Sequence, residues 1–162
     1  RWLHDSFGTN WRMMEMQAVI GRIQLTRMND WTVIRQANAA RIDDIGANYD
    51  VVRRVKVPDY IQHAEYKHYL FVNPEQLSDG WSRDRIVNEI TARGVPCYQG
   101  SCSEVYLEKA FDGTPWRPVT RLQNARELGE TSLMFLVHPT LTAEEMDKTC
   151  AVLAEVLGLA QK

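Results

Sequence analysis

No stretch of this 162-residue sequence approaches the ~20 consecutive apolar residues of a membrane-spanning helix. Nor is there a surplus of positive charge. Nineteen Lys and Arg stand against twenty-one Asp and Glu, whereas nucleic acid and anionic membranes demand a cationic excess, so neither is expected as a partner. Cysteine is scarce. Cys97, Cys102 and Cys150 form no CxxC pair and have no histidines at zinc-binding spacing, so no metal site is expected. Their odd number fits a reducing, cytoplasmic compartment, with a redox pair at Cys97 and Cys102 as a minor alternative. The sequence contains no GxGxxG, no P-loop, no internal repeat and no low-complexity tract. An initiator Met is missing too: the chain opens Arg1-Trp2-Leu3-His4-Asp5, without a signal-like apolar stretch. The expectation is a piece of something longer.

What remains is an ordinary soluble composition, with enough chain for one sizeable core. Met13, Met16, Ile20 and Ile23 recur at helical spacing and predict a helix from Asn10 to Trp31, with Gly21 kept in its interior by close backbone packing. A second helix is expected after Thr32, presenting Ile42, Ile45, Tyr49 and Val52 on one face and ending at Arg53-Arg54-Val55-Lys56 before Pro58. Tyr66–Val72 reads as a strand. Ser82 opens a helix that Gly94 closes in the left-handed conformation, and a short strand follows at Val95–Tyr98. Short helices are expected over Glu104–Ala110 and Arg121–Leu128, and a strand over Thr131–Val137. Thr142 and Glu145 form a capping box for a last helix closed by Gly158. The fold class is α+β: a small antiparallel-rich sheet covered on one face by helices and preceded by a long helix.

Four places could carry chemistry. Asn10 and Arg12 flank the start of the first helix, where unpaired N–H groups favour an anion. Asn10 is equally well read as a plain N-cap, and the residues do not choose. Lys67 and Tyr69 alternate onto one side of a strand, Tyr66 and His68 onto the other. A lysine among aromatics can act as a desolvated amine, although a solvated edge-strand lysine is the plainer reading. Gly100-Ser101-Cys102-Ser103-Glu104 could cradle an anion or merely cap the next helix through Ser103. His138, before Pro139, reads as a satisfied turn residue, because no Ser or Cys partner supports a triad.

From Gly8-Thr9-Asn10-Trp11-Arg12-Met13 through Glu15, Gln17-Ala18, Gly21 and Gln24-Leu25, the sequence resembles a signature of the DegT/DnrJ/StrS-type sugar aminotransferases, pyridoxal-phosphate enzymes of fold type I. Tyr66–Val72, Gly94-Val95-Pro96, Ala125-Arg126-Glu127-Leu128 and Ser132 through Thr142 match further landmarks, so the likeness covers nearly the whole chain. It implies the C-terminal portion of such an enzyme. Residues 1–31 would end the large cofactor domain and supply the interdomain helix, and residues 32–162 would form the small domain. It further implies a cytoplasmic homodimer that transfers an amino group from an amino acid, glutamate in the expected case, to a nucleotide-linked keto-sugar. Lipopolysaccharide, other surface glycans and antibiotic sugars are the usual destinations in the family.

Carried over by residue, the resemblance gives Asn10 a hydrogen bond to the cofactor phosphate of the partner subunit. It directs Arg12 toward substrate in that same site. Lys67 stands where many members have a His that approaches the nucleotide sugar, and Tyr98 to Ser103 lie near the substrate mouth. Trp11 replaces a commoner Tyr. The family's Schiff-base lysine falls upstream of Gly8 and is absent from these residues, and Lys67, on the small-domain strand, does not replace it. The expectation is therefore no catalytic residue, no pyridoxal phosphate bound to this stretch alone, and no activity alone. The alternative is a non-catalytic α+β binding or assembly module derived from the small domain. An unpacked Met13, Met16 and Ile20 stripe would favour the enzyme fragment over the module.

Overall fold

The computed structural model describes Thr9 and residues 11–162. One helix, α1 (Glu15–Gly46), is followed by β1 (Val52–Arg54), β2 (His68–Val72), α2 (Arg83–Ala92), β3 (Cys97–Tyr98), α3 (Gln123–Thr131), β4 (Ser132–Phe135) and α4 (Ala143–Ala160). The four strands form one antiparallel sheet in the order β1-β2-β4-β3. The α+β class expected from the sequence is the observed one.

Side-chain alternation splits the sheet. His68, Leu70 and Val72 of β2 point into the core with Leu133 and Phe135 of β4 and Cys97 of β3. Against this face pack Ala39 and Ile42 of α1, Ile86 and Ile90 of α2, and Met146, Leu153, Val156 and Leu157 of α4. The register places Tyr69, Met134 and Tyr98 side by side on the opposite face.

Where punctuation residues carry the signal, the elements form as expected. Ser82 Oγ accepts from the Arg85 N–H at 3.1 Å, and Gly94 ends the α2 turn at φ +74°. Thr142 and Glu145 complete their reciprocal pair at 3.2 and 2.8 Å.

Four expectations are corrected. The first two helices are one: α1 runs unbroken through Trp31-Thr32. Thr32 is no cap, since its Oγ1 donates to the Met28 carbonyl at 2.8 Å, as an interior threonine does. The chain turns after Gly46, so Val52 reaches the core from β1 while Ile45 and Tyr49 do pack against it. Apolar spacing alone does not register such a turn. Glu104–Ala110 forms two 3-10 turns, Val105–Leu107 and Lys109–Phe111, with no buried residue to favour a longer helix. Ser103 does not cap them; it lies where a side chain at Gly129 would stand. Lastly, α4 continues past Gly158 to Ala160, and Gly158 faces the Tyr49 ring.

Among the described residues, only the C-terminal part of α1 is packed. At 1.5 Å per residue the helix is about 48 Å long, yet its buried residues are Asn38, Ala39, Ile42 and Gly46. Met16 is 74% exposed and Ile20 53%, and Val19, Ile23, Leu25 and Met28 are exposed with them. Among the described residues nothing lies within 4 Å of a Cβ placed on Gly21, so the close backbone packing expected to keep that glycine is not found among them.

Truncating the core should separate these two parts of the molecule. Phe135→Ala should cost about 3–5 kcal/mol in urea unfolding, whereas Leu25→Ala should cost no more than about 0.5 kcal/mol in the same chain. Equal losses would contradict the exposed stripe.

Candidate functional site

The approach to β2 places Lys67 one residue before the strand, on the same side as Tyr69 and Phe71. The sequence expectation that Lys67 and Tyr69 face together, with His68 turned away, is met, but Tyr66, expected on the side of His68, is exposed and lines the same cleft as Lys67, because it precedes the strand and its alternation. Tyr69 and Phe71 have near-parallel rings 6.3 Å apart, and the Arg53 guanidinium covers Phe71 at 4.5 Å. Lys67 is half-buried, its ammonium 5.8 Å from the centre of the Tyr66 ring. Together with His63, Glu65, Tyr66, Tyr69 and Ser101, Lys67 lines a cleft of about 460 Å³. That volume suits a small-molecule ligand.

The far wall of the cleft is held by backbone contacts. Gly100 has φ +89°, and a Cβ there would stand 2.8 Å from Tyr69 Cε1, so the loop meets the ring only as glycine. The Ser132 hydroxyl donates to the Gln99 carbonyl at 2.5 Å. Gln99 Nε2 donates to Asp84 at 3.0 Å, and Asp84 is also bound by Arg83 Nε at 2.7 Å. Arg83 Nη1 in turn donates to the Gly129 and Ser132 carbonyls at 2.9 and 3.1 Å. Beyond Ser101, Arg121 and then the Tyr106 hydroxyl hold the Glu104 carboxyl down to about 2, and the Leu122 N–H donates to that same hydroxyl at 2.9 Å.

The other expected residues are placed separately. Arg12 lies in the exposed, irregular segment before α1. Asn10 lies outside the described residues. Tyr98 shares the sheet face of Tyr69 but is two strands away, about 10 Å at ordinary strand spacing. It lines a different hollow, with Thr91, Gly94 and Pro96. His138 Nδ1 is 2.8 Å from Thr140 Oγ1, the satisfied turn residue expected.

Among the described residues, no group of three His, Cys, Asp or Glu side chains could hold a metal. No helix of the described residues is long and apolar enough to cross a membrane. The thiol alternative fares poorly. Burial pushes the Cys97 thiol up to about 12, far from the thiolate that redox chemistry requires.

One cluster escaped the sequence reading. His68 is buried between Asp43 and Glu65, with its Nε2 2.9 Å from Asp43 Oδ1 and its Nδ1 3.2 Å from Glu65 Oε2. The clue was available: a histidine alternating with Leu70 and Val72 on an apolar face needs polar partners.

Replacing Gly100 should disturb the cleft. Gly100→Ala is expected to lose on the order of 1–3 kcal/mol of stability and to shift the Tyr69 ring resonances. Adding Tyr69→Leu should recover only part of the loss, because the positive φ persists. Full recovery would assign the whole effect to the ring contact.

Comparison with known proteins completes the description. No curated protein sequence matches the chain significantly. An aminotransferase from Psychrobacter cryohalolentis is 54% identical over 98% of this chain, with a TM-score of 0.88. DesV of S. venezuelae, solved with a ketimine intermediate, shares the fold at 24% identity and TM-score 0.79 over 97% of the chain. Helicobacter pylori PseC, an aminotransferase of pseudoaminic acid biosynthesis, shares it at 14% identity and TM-score 0.79 over 95%. The chain spans 42% of the Psychrobacter protein and 40% of each of the other two. Residues 1–154 match the DegT/DnrJ/EryC1/StrS aminotransferase family, to which this chain belongs.

Proposed function

We propose that this chain is the C-terminal portion of a pyridoxal-phosphate-dependent nucleotide-sugar aminotransferase, and that the Lys67 cleft contacts the sugar substrate. The observation that carries the reading is the family match over residues 1–154, joined to 54% identity with an aminotransferase of which this chain spans 42%. The exposed stripe on α1 supports it over a self-contained module, since a module would have no reason to leave Met16, Ile20 and Ile23 in water. In this reading residues 1–31 end the cofactor domain, and residues 32–162 are the small domain, with α1 running unbroken between them.

The cofactor would act as an electron sink during amino transfer. The described residues do not form a site for it. Lys67 stands in an open cleft against Tyr66, and no arginine is among the described residues lining that cleft. In this reading the covalent chemistry takes place outside this chain. Its residues serve the substrate instead. The Lys67 ammonium supplies a point charge for an acidic group, and Tyr69 and Tyr66 offer ring faces to a sugar or base. Asn10 would reach the cofactor phosphate of the partner subunit and Arg12 its substrate, as a homodimer allows. Tyr98 would contribute at the edge of the same sheet face. Glutamate as amino donor and a cytoplasmic location complete the proposal.

Two measurements on the full-length enzyme test it. With Lys67→Gln, KM for the keto-sugar should rise about tenfold, equivalent to roughly 1.4 kcal/mol, while kcat holds. Borohydride should still fix the cofactor to a lysine elsewhere. Loss of that trapped product would place the cofactor lysine at Lys67 and defeat the assignment. An unchanged KM would remove Lys67 from the substrate site.

A further inference from the structure

The wall of the Lys67 cleft is tied to α1 in two places, and both ties lie behind the cleft. Gln36 Nε2 donates to the His63 carbonyl at 2.8 Å. The second tie is the chain Asp43–His68–Glu65–His63, which runs from the half-buried Asp43 through the buried His68 and the half-buried Glu65 to the exposed His63. Asp43 Oδ1 lies 2.9 Å from His68 Nε2, Glu65 Oε2 lies 3.2 Å from His68 Nδ1, and Glu65 Oε1 lies 2.8 Å from His63 Nδ1. Glu65 holds this position at φ +46°, a left-handed conformation that a glutamate adopts only under constraint. Lys67 sits between Glu65 and His68 in sequence, so any movement of the Glu65 limb moves the residue that faces the cleft.

A ring with a carboxylate at each nitrogen satisfies both only when both nitrogens carry protons, that is, as the imidazolium. At the ring itself the charged groups among the described residues are these two carboxylates, and the further titratable group of the chain, His63, meets the other oxygen of Glu65. From α1 the ring meets Asp43, from the approach loop Glu65, and across the sheet on β4 its register partner is the apolar Phe135. We propose that His68 is a positioning residue: as a buried cation clamped between Asp43 and Glu65, it fixes the 63–67 wall and thereby Lys67, and the wall loosens when the ring loses its proton. Burial opposes the charge, but Asp43 first and then Glu65 outweigh it and raise the His68 pKa above its ordinary value. The sign follows from that direction. The clamp is complete below the ordinary histidine pKa and fails as pH rises through the higher value His68 has in the folded chain.

The structural part of this inference is independent of the aminotransferase reading; only its kinetic arm rests on it. NMR of the 162-residue chain should show the His68 ring titrating above the unperturbed value of about 6.5. Amide exchange of residues 63–67, corrected for intrinsic base catalysis, should accelerate with the same midpoint. Glu65→Gln keeps a hydrogen-bond acceptor but removes the charge, so it should lower both midpoints together by about one unit or more. His63→Gln, which touches neither ring nitrogen of His68, should leave the His68 midpoint in place, and wall exchange should still follow that midpoint. His68→Gln should abolish the transition and leave the wall unprotected at every pH; if that variant fails to fold, the joint shift in Glu65→Gln carries the test. Wall exchange that ignores the His68 midpoint, or that keeps its pH response in folded His68→Gln, overturns the proposal. In the full-length enzyme, KM should rise across the His68 midpoint with kcat unaffected by that ionisation. A flat KM beside a wall that still follows His68 would overturn the substrate role of Lys67 and leave the positioning role standing.

Discussion

A single apolar layer holds the molecule together: Ile42 of α1, Ile86 and Ile90 of α2, and Leu153 and Leu157 of α4 against Leu70, Leu133 and Phe135 of the sheet, all completely buried. Fully burying such side chains contributes roughly 1.5–3 kcal/mol each relative to leaving them in water. Because helices cover one sheet face, the alternation of β2 acquires a direction, and a one-residue slip would put Tyr69 and Phe71 inside. The orientation of Lys67 toward the cleft is therefore a consequence of core packing two strands wide. So is the burial of His68, which the same register places in the core with Asp43 within reach of its ring.

Polar groups then refine what the core has oriented. The loop after β3 has little buried side-chain area of its own, and its path is set by Ser132, Asp84 and Arg83 hydrogen-bonding to or near its backbone. Such bonds contribute only about 0.5–1.5 kcal/mol each, but leaving their carbonyls unpaired in a half-buried place would cost more. They decide shape rather than stability, and the shape they decide is the wall opposite Lys67.

Legibility in the sequence followed the range of the interactions. Caps and turns, fixed by residues three or four apart, were readable at Ser82, Gly94 and Thr142. So was the strand around Tyr69 with its two faces. The unbroken course of α1 was missed because Thr32 looks like a cap in isolation, while its actual partner is the preceding helical turn. The cleft was half-visible: Lys67, Tyr69 and the Gly100-Ser101 loop each drew notice, but nothing local brings residue 101 beside residue 67. The histidine clamp was least visible, since Asp43 and His68 are twenty-five residues apart and their pairing depends on how α1 lies on the sheet. The resemblance to a family covered this gap for function and left it open for geometry.

The partly unpacked α1 has a consequence in helix–coil terms. Starting a helix is costly, because several residues must be ordered for the first hydrogen bond, while extending one is nearly neutral per residue. The packed residues from Asn38 to Gly46 supply that start. The segment from Glu15 to about Ile34 needs only to propagate from it, and does so with few contacts in this chain to hold it. Its helicity should therefore decay smoothly toward the N-terminus rather than vanish in one step. A surface docking on its apolar stripe would close the helix turn by turn from a seed already present, and the ordering cost of recognition would be spread over many small increments.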